Sequence, residues 1–293
     1  MRNPFTLWSL YRRSRAASRF AEEQTVPGMI FNRFGKEVGR RLLWRGNMRG
    51  LSYLLTPVSS FRYFEFPFAL AALPPEPRRC LDIASPRLFS LYVAHNFPEC
   101  RIVVINPDAH DIEETRVIND CLGLNNLSMQ ARPVESLDMS GLPYDCIWSL
   151  SVIEHLQEDG ADAEAVRRMY ALLRDGGRLI ITVPVDKRYW VEYREHDYYG
   201  TAGKRGPHGY FFQRYYDEQA LKRLTGLLPQ SPCLVRWFGE RVEGHFQAYE
   251  QHWLSQGHDC TVDDPREFVD YYQEYPSWSA MPGRGVCGLV IDK

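Results

Sequence analysis

The stretch YDCIWSLSVIEHL, residues 144–156, holds two kinds of structure in thirteen residues. Tyr144 to Leu150 is short, apolar and rich in aromatic and β-branched side chains, as a buried strand is. Ser149 to Ser151 mark its carboxyl end, and Glu154 and His155 open the next segment with charge. Polar groups just past a strand end, ahead of a helix, are how open α/β sheets present residues to a ligand crevice. Working outward, the helical run DAEAVRRMYALLRDGG (162–177) repeats Ala165, Met169 and Leu172 or Leu173 at helical spacing and stops at Gly176–Gly177.

Further strands are expected in RCLDIA, RIVVIN, LSMQAR and RLIITVP, each short and bounded by turn residues, with CLVRWFG and GVCGLVID closing the chain. Strands alternating with helices predict a mostly parallel sheet. Residues 1–75 show no such alternation and predict an N-terminal helical cap; residues 76–293 form the α/β domain. Residues 186–216, dense in Tyr, Arg, Gly and His, predict a lid inserted after the fifth strand.

Composition narrows the function classes. The chain of 293 residues has 44% hydrophobic and 25% charged residues and a net charge of -2, which fits a globular protein and disfavours a nucleic-acid partner. Its 7 cysteines never fall as C-x-x-C, and its 8 histidines show no ligand spacing, so no metal site and a reducing, cytoplasmic setting are expected. The first twenty residues are rich in Arg and Ser and contain no acid, a composition shared by transit peptides, but a short amphipathic leading helix accounts for them. No apolar run is long enough to span a membrane.

Three segments in order, LDIASP (81–86), YDCIWSLSVIEHL and LLRDGGRLIITVP (172–184), resemble the class I S-adenosylmethionine-dependent methyltransferases, in their small-molecule branch. The resemblance implies a Rossmann-like fold with a mostly parallel seven-stranded sheet and helices on both faces. It also implies S-adenosyl-L-methionine as cofactor, methyl transfer to an O, N or C nucleophile of a small-molecule acceptor, and a homodimer as a candidate assembly.

The first segment departs from the family pattern, because Ala84 and Pro86 stand where glycines are usual. S-adenosylmethionine has no phosphate to which the backbone must come close, so the loop tolerates the change. Ser85 and Pro86 are expected to start the following helix, serine as cap and proline in its first turn. The resemblance places Asp82, Ala84 and Ser85 near the methionyl end of the cofactor, and Ser149, Leu150 and Ser151 across the crevice. An acid for the ribose is expected after the second strand. That slot reads Asn106, with Asp108 two residues on, so either the amide does this work or the chain brings Asp108 in. For the adenine side only Arg132, Val134 and Glu135 are candidates.

His155 is a candidate base, since imidazole titrates near neutrality; the competing reading is that Glu154 and His155 brace the helix. His196, Tyr198, Tyr199 and His208 in the lid are the other candidate catalytic residues. Arg194, Arg205 and Arg214 suit a carboxylate, and the N-terminal SSFRYFEF suits a wall over the site.

Two other functions fit the same segments. One is an enzyme that uses the aminocarboxypropyl arm of the sulfonium or cyclises the cofactor. The other is a non-catalytic binding module on a degenerate methyltransferase fold. A nicotinamide dehydrogenase is disfavoured, as no G-x-G-x-x-G follows the first strand.

Overall fold

The computed structural model describes residues 4–59, 61–137, 141, 143–197, 205–255 and 265–293. Four helices lead: α1 (Pro4–Glu23), α2 (Met29–Trp44), α3 (Gly50–Leu55) and α4 (Arg62–Ala72). The alternating region follows as β1 (Arg79–Ile83), α5 (Arg87–Asn96), β2 (Arg101–Asn106), α6 (Ala109–Leu122), β3 (Leu127–Ala131), β4 (Tyr144–Leu150), α7 (Ala161–Ala171) and β5 (Leu173–Val185). Next come β6 (Trp190–Arg194), β7 (Tyr210–Tyr215), α8 (Glu218–Thr225), β8 (Leu234–Glu240), α9 (His245–Ser255), α10 (Pro265–Tyr271), β9 (Tyr272–Tyr275) and β10 (Gly285–Asp292).

The main sheet runs β3-β2-β1-β4-β5-β10-β8-β9, with the first five strands parallel and β10, β8 and β9 antiparallel. It has eight strands rather than the expected seven. The extra one is β9, a four-residue strand paired with β8 through Trp237 to Glu240. It lies in the aromatic tail, where YQEY lacks the β-branched run that flags a strand. The other strands of this sheet overlap the segments expected from the sequence, except that α7 ends at Ala171 and β5 already begins at Leu173, so that Leu173 to Gly177, expected in the helix and its stop, belong to the strand.

Side-chain alternation splits the core by face. Cys80, Ile102, Cys146, Trp148 and Ile180 join α2, α4, α5 and α6 on one side. Leu81, Ile105, Ile147, Leu179 and Ile181 join α7 and α8 on the other. The N-terminal helices share the first core: Phe31 packs 5.0 Å from Phe66 and 6.0 Å from Phe89, which meets Trp148 edge-on at 5.5 Å. These rings fix α2 and α4 against the strand that carries the site.

β6 and β7 pair as a separate two-stranded ribbon within the predicted lid. It is pinned to the body where the Tyr216 backbone bonds Pro184 and Asp186, and where the Arg214 guanidinium donates to the carbonyls of Leu156, Gln157 and Glu158. Among the described residues no helix is long and apolar enough to cross a membrane, and no three His, Cys, Asp or Glu side chains gather as metal ligands would.

Candidate active site

Asp82 ends β1 fully buried. Its Oδ1 accepts the Ser85 N–H at 3.0 Å, its Oδ2 accepts the Ser90 hydroxyl, and the Ser90 oxygen accepts Trp148 Nε1–H at 3.1 Å. Burial pushes the Asp82 carboxyl up to about 6, against the pull of these hydrogen bonds. The acid therefore ties the loop to α5 and β4 from beneath.

Ser85 does not cap α5 as expected. Its hydroxyl oxygen accepts the Leu150 N–H at 3.0 Å across the crevice, and Pro86 occupies the cap position. Ala84 takes a left-handed φ of 49°, the conformation glycine adopts freely. The loop thus keeps the glycine shape without the glycine, at a cost of roughly 1 kcal/mol. Ala84→Gly should raise the melting temperature by about 2 °C; a lower melting temperature would show that the φ is unstrained.

At the end of β2 both candidate ribose ligands already have partners. Asn106 Oδ1 accepts the Asp108 N–H at 2.9 Å, and its Nδ2 donates to Asp111 at 2.9 Å. Asp108 caps α6 by accepting the His110 N–H at 2.8 Å. The acid that faces the crevice is Asp111, in the first turn of α6. It pairs with Arg87, whose guanidinium also lies 2.9 Å from Glu114, while the Arg87 Nε is buried without a partner among the described residues. The sequence reading missed Asp111 because its importance comes from Arg87, on a different helix. Of the adenine-side candidates, Val134 is buried in a 3-10 turn and Glu135 is exposed.

The wall expected from SSFRYFEF is built by α4. Glu65, fully buried, accepts from Arg62, from the Ser151 hydroxyl and from Thr182 Oγ1 at 2.7 Å. Ser151 has a φ of 50°, and its N–H donates to the Thr182 carbonyl and hydroxyl oxygens, each at 3.0 Å. Two left-handed non-glycine residues, Ala84 and Ser151, therefore stand at neighbouring strand ends. Such strain concentrates at sites that bind ligands. Ser149 and Leu150 are fully buried, the Ser149 hydroxyl without a partner among the described residues.

Beyond β4, Ile153 to His155 form one 3-10 turn rather than the start of a helix; α7 begins at Ala161. The His155 Nδ1 lies 2.6 Å from the Phe212 carbonyl, so it carries the proton and leaves Nε2 as an acceptor. Burial holds this imidazole down to about 4, so it is neutral at pH 7. Glu154 is buried with Oε2 unpartnered among the described residues, and burial pushes its carboxyl up to about 8.

Two cavities open beside these groups; of the residues expected to hold the cofactor, only Ser151 lines either one. One, of about 280 Å³, lies between α4, the β4 and β5 ends and the β6–β7 ribbon, with Arg62, Glu65, Glu154, His155, Arg194, Phe212 and Arg284 in its wall. The other, of about 300 Å³, lies over the β1 loop, with Tyr53, Ser59, Arg62, Pro86, Arg87 and Asp111. Ser59 and Arg62 belong to both. His196 and His208 are exposed and line neither cavity; His208 packs 5.6 Å from Tyr193. Tyr198 and Tyr199 lie outside the described residues.

The profile of a family described as "Methyltransferase domain" matches residues 62–226, more than half of the chain. The chain belongs to this methyltransferase-domain family. Solved structures of the same fold include a coclaurine N-methyltransferase bound to N-methylheliamine and S-adenosylhomocysteine (13% identity, 76% of this chain and 69% of that one, TM-score 0.52). They also include the [4+2]-cyclase SpnF (18% identity, 80% and 83%, TM-score 0.50). A third is the geranyl diphosphate C-methyltransferase of Streptomyces coelicolor A3(2) (10% identity, 78% and 76%, TM-score 0.50). At these identities the likeness is one of fold. No curated protein sequence matches the chain.

Proposed function

We propose that this methyltransferase-domain protein binds S-adenosylmethionine over its β1 loop and transfers the methyl group to a small-molecule acceptor held under the β6–β7 ribbon. The observation that carries the reading is the retained loop shape. Ala84 is held in a glycine-like φ by the Asp82–Ser85–Leu150 network, at the carboxyl ends of β1 and β4, where open α/β sheets take their ligands.

The residues present fit the cofactor. Arg87, with a buried Nε left unpartnered, and Arg62 suit its carboxylate, and Asp111 beside Asn106 suits a ribose diol. Bound there, S-adenosylmethionine supplies an electrophilic methyl group on a sulfonium. The protein then has to orient the acceptor and exclude water. Residues 1–75, as a cap over the domain of residues 76–293, contribute the wall, and the ribbon covers the other side. The His155 Nε2 accepts the proton of a hydroxyl or amine acceptor, while Nδ1–H stays on the Phe212 carbonyl. Glu154, a neutral carboxylic acid below about pH 8, adds no competing charge beside it.

Calorimetric titration with S-adenosylmethionine tests the reading. Binding is expected, weakened on the order of tenfold by Asp111→Ala, whereas Asp108→Ala should cost about 1 kcal/mol of stability through the lost cap and leave affinity unchanged. No heat at millimolar cofactor would leave the binding-module reading, for which the Arg87–Asp111–Glu114 cluster already filling the β2 end is the favouring observation. Product analysis decides the remaining chemistry. S-adenosylhomocysteine marks methyl transfer, and methylthioadenosine marks use of the other arm.

Glu154 also makes a prediction about pH. Its native pKa is raised from 4.5 to about 8, so the folded state holds a proton that the unfolded state loses. Its stabilising contribution is complete below the unfolded value and falls as pH rises towards about 8. His155 is depressed from 6.5 to about 4 and acts in the opposite sense below its unfolded value. Between about pH 6.5 and pH 8 Glu154 dominates, and stability should drop by up to about 2 kcal/mol. Denaturant melts of Glu154→Gln should be flat over that window; an unchanged slope would show that Glu154 is ionised in the native protein.

A further inference from the structure

We propose that the groove between α1 and α2 docks this protein on an anionic membrane surface, with Trp8 and Trp44 entering the lipid headgroup layer.

The charge of the chain is divided unevenly. Residues 1–50 hold eleven Lys and Arg against three Glu and no Asp, although the whole chain is slightly acidic. The fold gathers that charge on one side. The helices run antiparallel, since Lys36 Nζ bonds the Ser14 carbonyl at 3.2 Å and Ser18 meets Asn32 at 3.3 Å. Arg15, Arg19, Arg33, Lys36 and Arg40 consequently line a single open cavity of about 480 Å³, with Glu22 and Glu37 the acids in its wall. Glu22 is taken by Arg33 at 3.4 Å and Glu37 by Arg41 at 2.5 Å. Arg12, Arg13, Arg15, Arg19 and Arg40 are exposed and have no acidic partner among the described residues. Burial and the charges of Arg40 and Arg15 hold the Lys36 ammonium down near 8, a sign of the positive field in the groove.

Helical spacing then sets the aromatic residues. Trp8, Arg12, Arg15 and Arg19 recur every three or four residues along α1, and Arg33, Glu37, Arg40 and Trp44 do the same along α2. Antiparallel packing brings Trp8 and Trp44 to the same end, where the next turn adds Met48. Their exposures are 60%, 88% and 66%. Exposed tryptophans beside unpaired arginines suit one surface well: the ring sits at the apolar boundary while the guanidinium meets lipid phosphate. A membrane is favoured over nucleic acid because the three most exposed apolar side chains of this region, Trp8, Trp44 and Met48, lie together at one end of the groove, as insertion into a plane requires, while Phe20 and Ile30 at the other end are less than half exposed.

The full-length protein should co-sediment with vesicles of phosphatidylcholine containing 30% phosphatidylglycerol at about 100 mM salt, should not do so with phosphatidylcholine alone, and should be released by about 500 mM salt. Tryptophan fluorescence should shift to the blue on binding. Replacing Arg12, Arg15, Arg19 and Arg40 together with Gln should lower partitioning on the order of 100-fold. Trp44→Ala, at a position too exposed to affect folding, should lower it several-fold and remove part of the blue shift. The proposal is overturned if the anionic vesicles do not pellet the protein, or if the Trp44→Ala and four-Arg variants bind as the parent does. It is equally overturned if the protein binds random single-stranded RNA in preference to the vesicles, or if Trp44→Ala instead breaks a dimer seen by sedimentation.

Discussion

His155→Ala is expected to lower turnover by about 100-fold, the lower end of what a positioned general base contributes, with little change in S-adenosylmethionine affinity. The reason is geometric. His155 lies on the 3-10 turn after β4 and lines the cavity under the ribbon; its Nδ1–H is committed to the Phe212 carbonyl at 2.6 Å, so Nε2, 3.9 Å from Glu154 Oε1, is the acceptor atom of the ring. The cavity over the β1 loop, where the cofactor would sit, does not have His155 in its wall. The imidazole is neutral above about pH 4, so the acid limb of a rate profile that it controls should fall near that value and not near 6.5. His155→Gln, which keeps an acceptor but not a base, should recover little activity with an acceptor that must lose a proton. If His155→Ala leaves turnover intact, the imidazole is only a brace between the β4 turn and β7.

Glu65→Leu should cost roughly 3–5 kcal/mol of stability, the largest effect expected of a single substitution. Glu65 is fully buried, and its carboxylate accepts from Arg62, Ser151 and Thr182, which come from α4 and from the ends of β4 and β5. Leucine fills the space but leaves the two hydroxyls beneath it without their acceptor. For a chain of this size, that loss lowers the melting temperature by on the order of 10 °C. Glu65→Gln keeps an acceptor oxygen and should lose less than half as much. Because the same carboxylate holds the Ser151 hydroxyl, both variants should also let the backbone there relax from its φ of 50°, visible as faster amide exchange at Ser151 and Val152. A Glu65→Leu protein as stable as the parent would show that the cluster contributes nothing net, as replaced buried ion pairs sometimes do.

The sequence determined the parts whose signal is local. Most strands of the parallel region are short runs between turn residues, and the spacing of Ala165 and Met169 marks α7, so the β/α alternation and the placing of Asp82 and Ser149 at strand ends could be read directly, whereas the end of α7 at Ala171 and the 3-10 turn that carries His155 could not. Three things were decided by the tertiary structure. Ser85 suits a helix cap, yet the Leu150 N–H on β4 takes its hydroxyl oxygen, because a buried amide must find an acceptor and only the fold brings that one near. Asn106 and Asp108 match the ribose slot by position, but short-range turn and cap bonds consume them, and the acid left facing the crevice is Asp111, fixed by Arg87 from α5. Glu65 and Arg62 looked like an aromatic segment with two charges, and they become the floor of the site only when α4 packs over β4 and β5, about ninety and more residues away along the chain. Local periodicity fixes which segments form elements; the partner of a buried polar group depends on which elements meet, and that is a property of the packed chain.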